Sequence, residues 1–356
     1  MIEILSVFAT FAVGGPQVRY AAIANRFPDR FRHVIVAMDA DTRARERFSA
    51  DVDARFPEIA VRKGRTLANR RRFRRYMEDT KPDLLITHNW GSIEWAMANW
   101  PRVVRHIHIE DGFGPEERDR QLPRRALMRR LVLSRGLVVV PSRTLQRIAT
   151  DVWRLPARRV HYIPNGIDLS RFANMRERPN TAPVIGTVAA LRPEKNLARL
   201  IRAFAAVRAD TEARLIIVGE GPERVRLEAT AAQSGVGAHV HFTGHMLDPA
   251  PALAGFDIFA LSSDTEQMPI SVIEAMAAGL PVATTDVGDV ASMLADSNRP
   301  CVTALDEHAL AGAIRRLLDA PALRHDIGAQ NRAKAERDYD QETMFQSYAA
   351  LFAALT

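Results

Sequence analysis

Short runs of β-branched and other apolar residues alternate along the chain with longer stretches in which apolar positions recur every three or four residues. IEILSVF at 2–8 is followed by the amphipathic PQVRYAAIANRF and then by HVIVAM; LLIT, VVRHIHI, LVVVPS and VHYIPNG continue the series. Parallel strands need a crossover helix between them and are buried on both faces, so continuous apolar runs separated by helix-length segments predict parallel βαβ units. After the polar stretch ANMRERPNTAP (173–183) a second series begins: PVIGTVAAL, a helix from Glu194, ARLIIVG, a helix from Pro222, HVHFTG, FDIFAL, a helix after Pro269, and PVATT. From about residue 307 onward only helix-like stretches remain, and the last of them carries Phe345, Tyr348 and Phe352 as an apolar stripe that needs a partner. The pattern therefore predicts an α/β protein of two Rossmann-like doubly wound domains. Residues 1–168 form the first and 169–340 the second, with a terminal helix at 341–356 packing back on the first.

Composition narrows the class. With 356 residues, 47% of them hydrophobic, the chain can furnish two cores. Apolar runs such as LVVV at 137–140 fall far short of a membrane-spanning helix. Glu3 stands where a secretory leader would be basic, so the first residues read as strand and loop, and a cytoplasmic location is expected. A single cysteine, Cys301, excludes an intramolecular disulfide and a cysteine-based zinc site.

Charge is divided unevenly. Residues 1–178 hold 34 Lys+Arg against 20 Asp+Glu, and residues 179–356 hold 15 against 22, so the halves carry +14 and −7. The region Arg62–Arg75 has eight basic residues and no acid, and Arg118–Arg135 has seven with only Asp119 opposing. Such runs fit an anionic partner, whether a nucleic acid, an anionic leaflet or an acidic saccharide; they also fit a solvated arginine-rich face. No aromatic platforms are interleaved with the arginines, so a nucleic-acid partner is not expected.

The segment richest in chemistry is SSDTEQMPISVIEAMAAGLPVATTDVGDV at 262–290. Pro269 suits the first helical position and Gly279 stops the helix, so the amides of Ile270, Ser271 and Val272 open at the carboxyl end of the strand FDIFAL. A helix start of this kind attracts phosphate, and ligands of open α/β sheets bind at that edge. Glu274, one turn further in, can reach the hydroxyl pair of a ribose, whereas taken singly Glu274 is an exposed helix carboxylate and Glu266 a loop solvator.

Glu266 and Glu274, with seven residues between them and the flanking EAMAAGLPV, resemble the donor site of glycosyltransferase family 4. The resemblance continues through IGTVAALRPEKNLARLIRAF, IIVGEGPERVRLE and YIPNGIDLSRF, covering residues 160–290. It implies the GT-B architecture, two Rossmann-like domains facing across a cleft, and a retaining transfer of sugar from a nucleotide-diphosphate donor, UDP being the commonest, to a saccharide or lipid-linked acceptor. Synthesis of a cell-envelope glycan or exopolysaccharide is the expected setting. By the same resemblance Arg192 and Lys195 neutralise the departing diphosphate, Glu266 contacts the transferred sugar, and Glu274 holds the ribose. Gln267, Met268, Pro269, Ile270 and Ser271 line the sugar and phosphates, with Gly219 nearby. Gln267 replaces the family's usual glycine, which crowds the sugar pocket. No cofactor is implied beyond the nucleotide-sugar co-substrate.

In the first domain Gly14 and Gly15 correspond to a glycine-rich turn close to the diphosphate, or else form an ordinary strand-to-helix turn. RHIHIEDGFGPEE places His106, His108, Glu110 and Asp111 at a strand end. Relatives carry a histidine near the reacting sugar here; His108 fits best, and His106 shares its strand face. Glu110 or Asp111 is a candidate acceptor-side base. No third ligand accompanies the histidines, and Asp39-x-Asp41 copies a metal pair of a different glycosyltransferase fold, so no metal is expected. A sugar-nucleotide epimerase of the same architecture and a nucleic-acid-binding protein are the rival readings. The basic first domain points to peripheral docking on an anionic membrane.

Overall fold

The computed structural model describes residues 1–62, 64–117, 120–173 and 182–355. Lys63 and Arg118 of the two basic runs, and most of the 173–183 stretch, lie outside the described residues. The chain forms two compact units, Met1–Pro164 with Met344–Thr356, and Asn165–Thr343.

In the first unit the strands are β1 (Ile2–Phe8), β2 (Phe31–Ala37), β3 (Ala54–Arg55), β4 (Leu84–His88), β5 (Arg105–Ile109), β6 (Leu137–Val140) and β7 (Val160–Tyr162). They line up as β3-β2-β1-β4-β5-β6-β7 with every neighbouring pair parallel. The order reverses between β1 and β4, the kind of switch point at whose carboxyl edge open α/β sheets bind ligands. One core packs Phe8, Phe31, Ile35, Ile86 and Ile107 against Phe345, Tyr348 and Phe352 of the helix Gln341–Leu355. The apolar stripe of that helix thus finds its partner in the sheet face it covers.

The second unit contains β8 (Val184–Val188), β9 (Arg214–Val218), β10 (Val240–Gly244), β11 (Ile258–Leu261), β12 (Val282–Thr285) and β13 (Val302–Thr303), ordered β10-β9-β8-β11-β12-β13 and again parallel throughout. Its switch point lies between β8 and β11. Helices cover both faces of the sheet, and the two cores they enclose hold Ile185, Leu200, Phe204 and Leu215 on one side and Phe259, Val272, Ile273 and Met276 on the other.

Three local expectations change. The helix expected from Glu194 begins at Leu197, because Pro193–Lys195 forms a 3-10 turn and Asn196 adopts φ 41°, capping the helix through its side chain. Pro269 is the extended residue before the helix Ile270–Ala277 rather than its first residue. The basic helix Thr66–Thr80 does not project all its arginines into solvent: Arg70 donates to the Met97 carbonyl, Arg72 to that of Ala60 and Arg74 to those of Ala98 and Pro101, while Arg71 and Arg75 are exposed. Among the described residues no helix is long and apolar enough to cross a membrane.

Candidate functional site

The carboxyl ends of β8 and β11 bring the second unit's chemistry together. After β8 the chain turns through Arg192 and Lys195, and after β11 it runs through Glu266 to the helix carrying Glu274. Lys195 Nζ lies 2.6 Å from Glu266 Oε1, which also accepts the Ser263 hydroxyl at 2.7 Å. Arg192 is exposed and has no carboxylate within ion-pair distance among the described residues. A paired and an unpaired cation therefore share one turn. This turn is held by an unusual approach of backbones: Gly219 has φ 147° and a Cβ there would come within 1.9 Å of the Ala189 carbonyl oxygen. The glycine serves the close packing of the 189–191 segment on the 219–223 loop, where Leu191 N donates to Glu220 O and Glu223 N to Leu191 O.

The segment after β11 is anchored from several sides. The Ser262 carbonyl accepts from Arg199, that of Ser263 from the Thr285 hydroxyl, that of Gln267 from the Asp289 amide and that of Met268 from Asn165 Nδ2. Arg199 also forms a 2.8 Å ion pair with Asp264, which accepts from Asn196 as well. Gly288, at φ 57°, lets its backbone pass against Glu266, since a Cβ would lie 2.3 Å from the Glu266 carbonyl oxygen. Met268 is buried in the core, so only its backbone is available to line a ligand, whereas Gln267 and Ser271 are partly exposed and Ile270 is exposed.

Glu274 is buried, 8% exposed, on the helix Ile270–Ala277. Burial pushes its carboxyl up to about 7, with Arg171 pulling down and Asp248 adding to the rise. Arg171 NH1 stands 3.5 Å from Glu274 Oε1, and its other terminal nitrogen pairs with Asp248.

In the first unit the predicted histidines lie inside the fold. His106 Nε2 and His108 Nδ1 both sit 2.8 Å from the Thr87 hydroxyl oxygen, and His108 Nε2 is 3.5 Å from Glu110 Oε2. His108 and Glu110 are fully buried. Burial, with His108 adjacent, lowers His106 to about 3, so its ring is neutral at physiological pH. Both candidate acceptor-side carboxylates are engaged by arginines: Asp111 pairs with Arg19 at 2.7 Å, and Glu110 lies 3.4 Å from Arg129. Arg129 in turn binds Glu117 through two 2.9 Å contacts and lies over the rings of Trp90 and Trp153, each 4.8 Å from its guanidinium carbon. Gly14 is extended and caps the helix Gly15–Arg26, and a Cβ added at Gly15 would meet open space. Asp41 of the Asp39-x-Asp41 pair is taken by Arg43 at 2.7 Å. Among the described residues no group of three or more His, Cys, Asp or Glu side chains is arranged for a metal ion.

Sequence reasoning overlooked Arg171, Arg199, Asn165 and Asp264. Arg171 and Asn165 stood in the quoted YIPNGIDLSRF stretch. Arg199 carried a weak signal, a charge set among the apolar positions of LARLI at the start of a helix.

Two parallel sheets with these switch points form the GT-B architecture, and solved glycosyltransferases share it. Superposition on Anabaena HepE in complex with UDP-glucose gives a TM-score of 0.82 at 19% identity over 99% of this chain and 100% of that one. The family model for glycosyl transferases group 1 matches residues 171–334 and that for Glycosyltransferase Family 4 matches residues 13–171, so the chain belongs to glycosyltransferase family 4. Curated relatives include the 2-deoxystreptamine glucosyltransferase of Streptomyces kanamyceticus, 28% identical over 202 residues (52% of each chain), and a GDP-mannose-dependent alpha-mannosyltransferase of Mycolicibacterium smegmatis, 34% identical over 198 residues (51% of this chain, 48% of that one). The chain spans about half the length of these relatives.

Proposed function

We propose that this protein is a retaining glycosyltransferase that takes a sugar from a nucleoside-diphosphate donor held by the second unit and passes it to a saccharide or lipid-linked acceptor. The observation that carries the reading is the gathering of Arg192, Lys195, Glu266 and Glu274 at one switch point. In the proposed reaction the bond from the anomeric carbon to the diphosphate oxygen breaks as the acceptor oxygen attacks from the same face, and the acceptor's proton passes to the leaving phosphate. Positive charge grows on the sugar and negative charge on the diphosphate. Lys195 and Arg192 stabilise the second, and fixed cations in place before the reaction are effective because they need not reorganise. Glu266 accepts from the sugar and Glu274 accepts from the ribose diol. The scheme calls for no resident cofactor. UDP is the first nucleotide to test, since HepE is solved with UDP-glucose, and GDP the second, since the mycobacterial relative depends on GDP-mannose.

Calorimetric titration with UDP, GDP, ADP and their sugars is expected to show binding of one nucleotide. Glu274→Ala is expected to weaken that binding at least tenfold, as loss of a charged hydrogen-bond partner worth about 1.5–3 kcal/mol implies. Silence toward the whole panel, or a variant that binds as well as the wild type, would overturn the reading.

The internal pairing of Arg70, Arg72, Arg74, Arg125 and Arg129 argues against the basic runs being a nucleic-acid surface. What remains exposed on the helix Pro123–Leu133 is a mixed face: Leu127 and Leu131, 56% and 54% exposed, beside exposed Arg124 and Arg130. Apolar side chains flanked by arginines suit an anionic bilayer surface, each arginine adding about 1 kcal/mol, and support a peripheral location on the inner face of a membrane. The partition constant for vesicles containing phosphatidylserine, read by co-sedimentation, is expected to fall about thirtyfold in the Arg124→Gln, Arg130→Gln double variant. No sedimentation of the wild type at low salt would refute the docking.

A further inference from the structure

We propose that Arg171 is a positioning residue of the donor site, whose guanidinium faces Glu274 and aims its carboxylate to receive the ribose diol. This rests on the donor role of Glu274 proposed above. The geometry joins three parts of the chain. Arg171 lies in the 3-10 turn Leu169–Phe172, whose start is fixed by the Asp168 side chain accepting from Ser170 N at 3.0 Å. Its guanidinium rests on the Phe172 ring at 5.4 Å, so the side chain is directed rather than free. One terminal nitrogen pairs with Asp248, which is itself fixed by accepting from Ala250 N at 3.0 Å, and the other stands 3.5 Å from Glu274 Oε1.

That last distance matters. It is short enough for the positive charge to favour the carboxylate and longer than a full hydrogen bond, so Glu274 is left with acceptor capacity for a ligand. A carboxylate offers acceptor sites to both hydroxyls of a diol, whereas a protonated carboxyl gives up part of that capacity and presents a donor instead.

The charged groups bearing on Glu274 are Arg171 and Asp248, with Asp168 acting on Arg171. The neighbouring β11, β12 and the helix Ala250–Leu253 contribute no charged residue. On the adjoining helix Pro321–Asp338, Lys334 donates to the carbonyls of Ser292 and Leu294, and Arg332 pairs with Glu336. Arg171 is therefore the cation that opposes the cost of burying Glu274, and Asp248 competes for it. Since the buried carboxyl titrates near neutrality, donor affinity rises with pH through that range as Glu274 ionises.

The test is the pH dependence, from 5.5 to about 8.5, of the dissociation constant for the nucleotide sugar identified by the titration panel. Both of its phosphates are esterified, so the probe keeps a constant charge across the range. Arg171→Gln is expected to move the midpoint of the rise upward by about one pH unit and so to weaken binding about fivefold at pH 7, approaching tenfold at the acid end of the range. Arg171→Lys is expected to restore much of both. Asp248→Asn keeps an acceptor for the Ala250 amide while removing the competing charge, and is expected to move the midpoint the other way; this opposite shift would not arise from a purely structural role. A wild type that binds the donor, with Arg171→Gln and Asp248→Asn leaving the midpoint unmoved, overturns the role of Arg171 alone. A wild type silent toward every donor overturns it together with the proposed function.

Discussion

Lys195→Met is expected to lower the rate of nucleotide release from the bound donor by about 10²–10³-fold, the usual effect of removing one charge-stabilising group aimed at a transition state. The Michaelis constant should change much less, because charge on the leaving diphosphate grows as the bond breaks and the lysine is needed most at that moment. The structure makes this lysine more than a surface cation. Its ammonium is held 2.6 Å from Glu266, Glu266 is fixed by the Ser263 hydroxyl, and the Lys195 carbonyl accepts from the Ser262 hydroxyl at 3.0 Å. Arg192, exposed on the same turn, has no such constraint, and its removal should act more on donor affinity. A Lys195→Met enzyme with wild-type turnover and a lowered melting temperature would reduce Lys195 to a partner of Glu266.

The largest effect on stability is expected at Arg129. Its side chain is fully buried, chelates Glu117 with two 2.9 Å contacts, stands 3.4 Å from Glu110, and packs among Trp90, Phe113 and Trp153. Arg129→Met keeps much of the volume, leaves Glu110 buried without an arginine and leaves Glu117 with Arg125 alone at 3.3 Å, which should cost about 3–5 kcal/mol. For a unit of this size that is a fall of about 10 °C in melting temperature, readable by calorimetry. The double variant Arg129→Met, Glu117→Gln should recover part of the loss by removing the carboxylate left with Arg125 alone, and a failure to recover would mean that ring packing rather than charge pairing sets the cost.

Arg129 also shows where a sequence stops being informative. It belongs to a run that counts as seven basic residues, yet a count cannot tell a guanidinium spent inside the fold from one such as Arg124 that meets solvent. The architecture was easier to read, because parallel strands buried on both faces must be written as continuous apolar runs, and IEILSVF, LLIT and LVVV are such runs. The two-residue strands β3 and β13 escaped for the converse reason: Ala54–Arg55 and Val302–Thr303 lie at sheet edges and need no apolar run. At the candidate site, Glu266 and Glu274 were picked out by their spacing, and Arg192 and Lys195 by the resemblance of their turn to the family. Arg199, Asn165 and Arg171 were not, since each meets its partner only after the chain has folded: Arg199 reaches Ser262, Asn165 reaches Met268, and Arg171 reaches Glu274. The histidines fall between. Alternation placed His106 and His108 on one strand face, and only the shared Thr87 hydroxyl shows that both are enclosed together.

The four carbonyls of the 262–268 segment, claimed by Arg199, Thr285, Asp289 and Asn165, bear on how such a protein changes its substrate. A main chain tethered to donors from four separate places tolerates little reshaping, since moving it strands several buried groups at once. Divergence toward a new sugar is then channelled into side chains that project from a fixed frame. Gln267, where the family resemblance implies glycine, is a change of that kind: a larger group on an unaltered platform, and under the proposed function it is the position at which the range of sugars would be narrowed or widened.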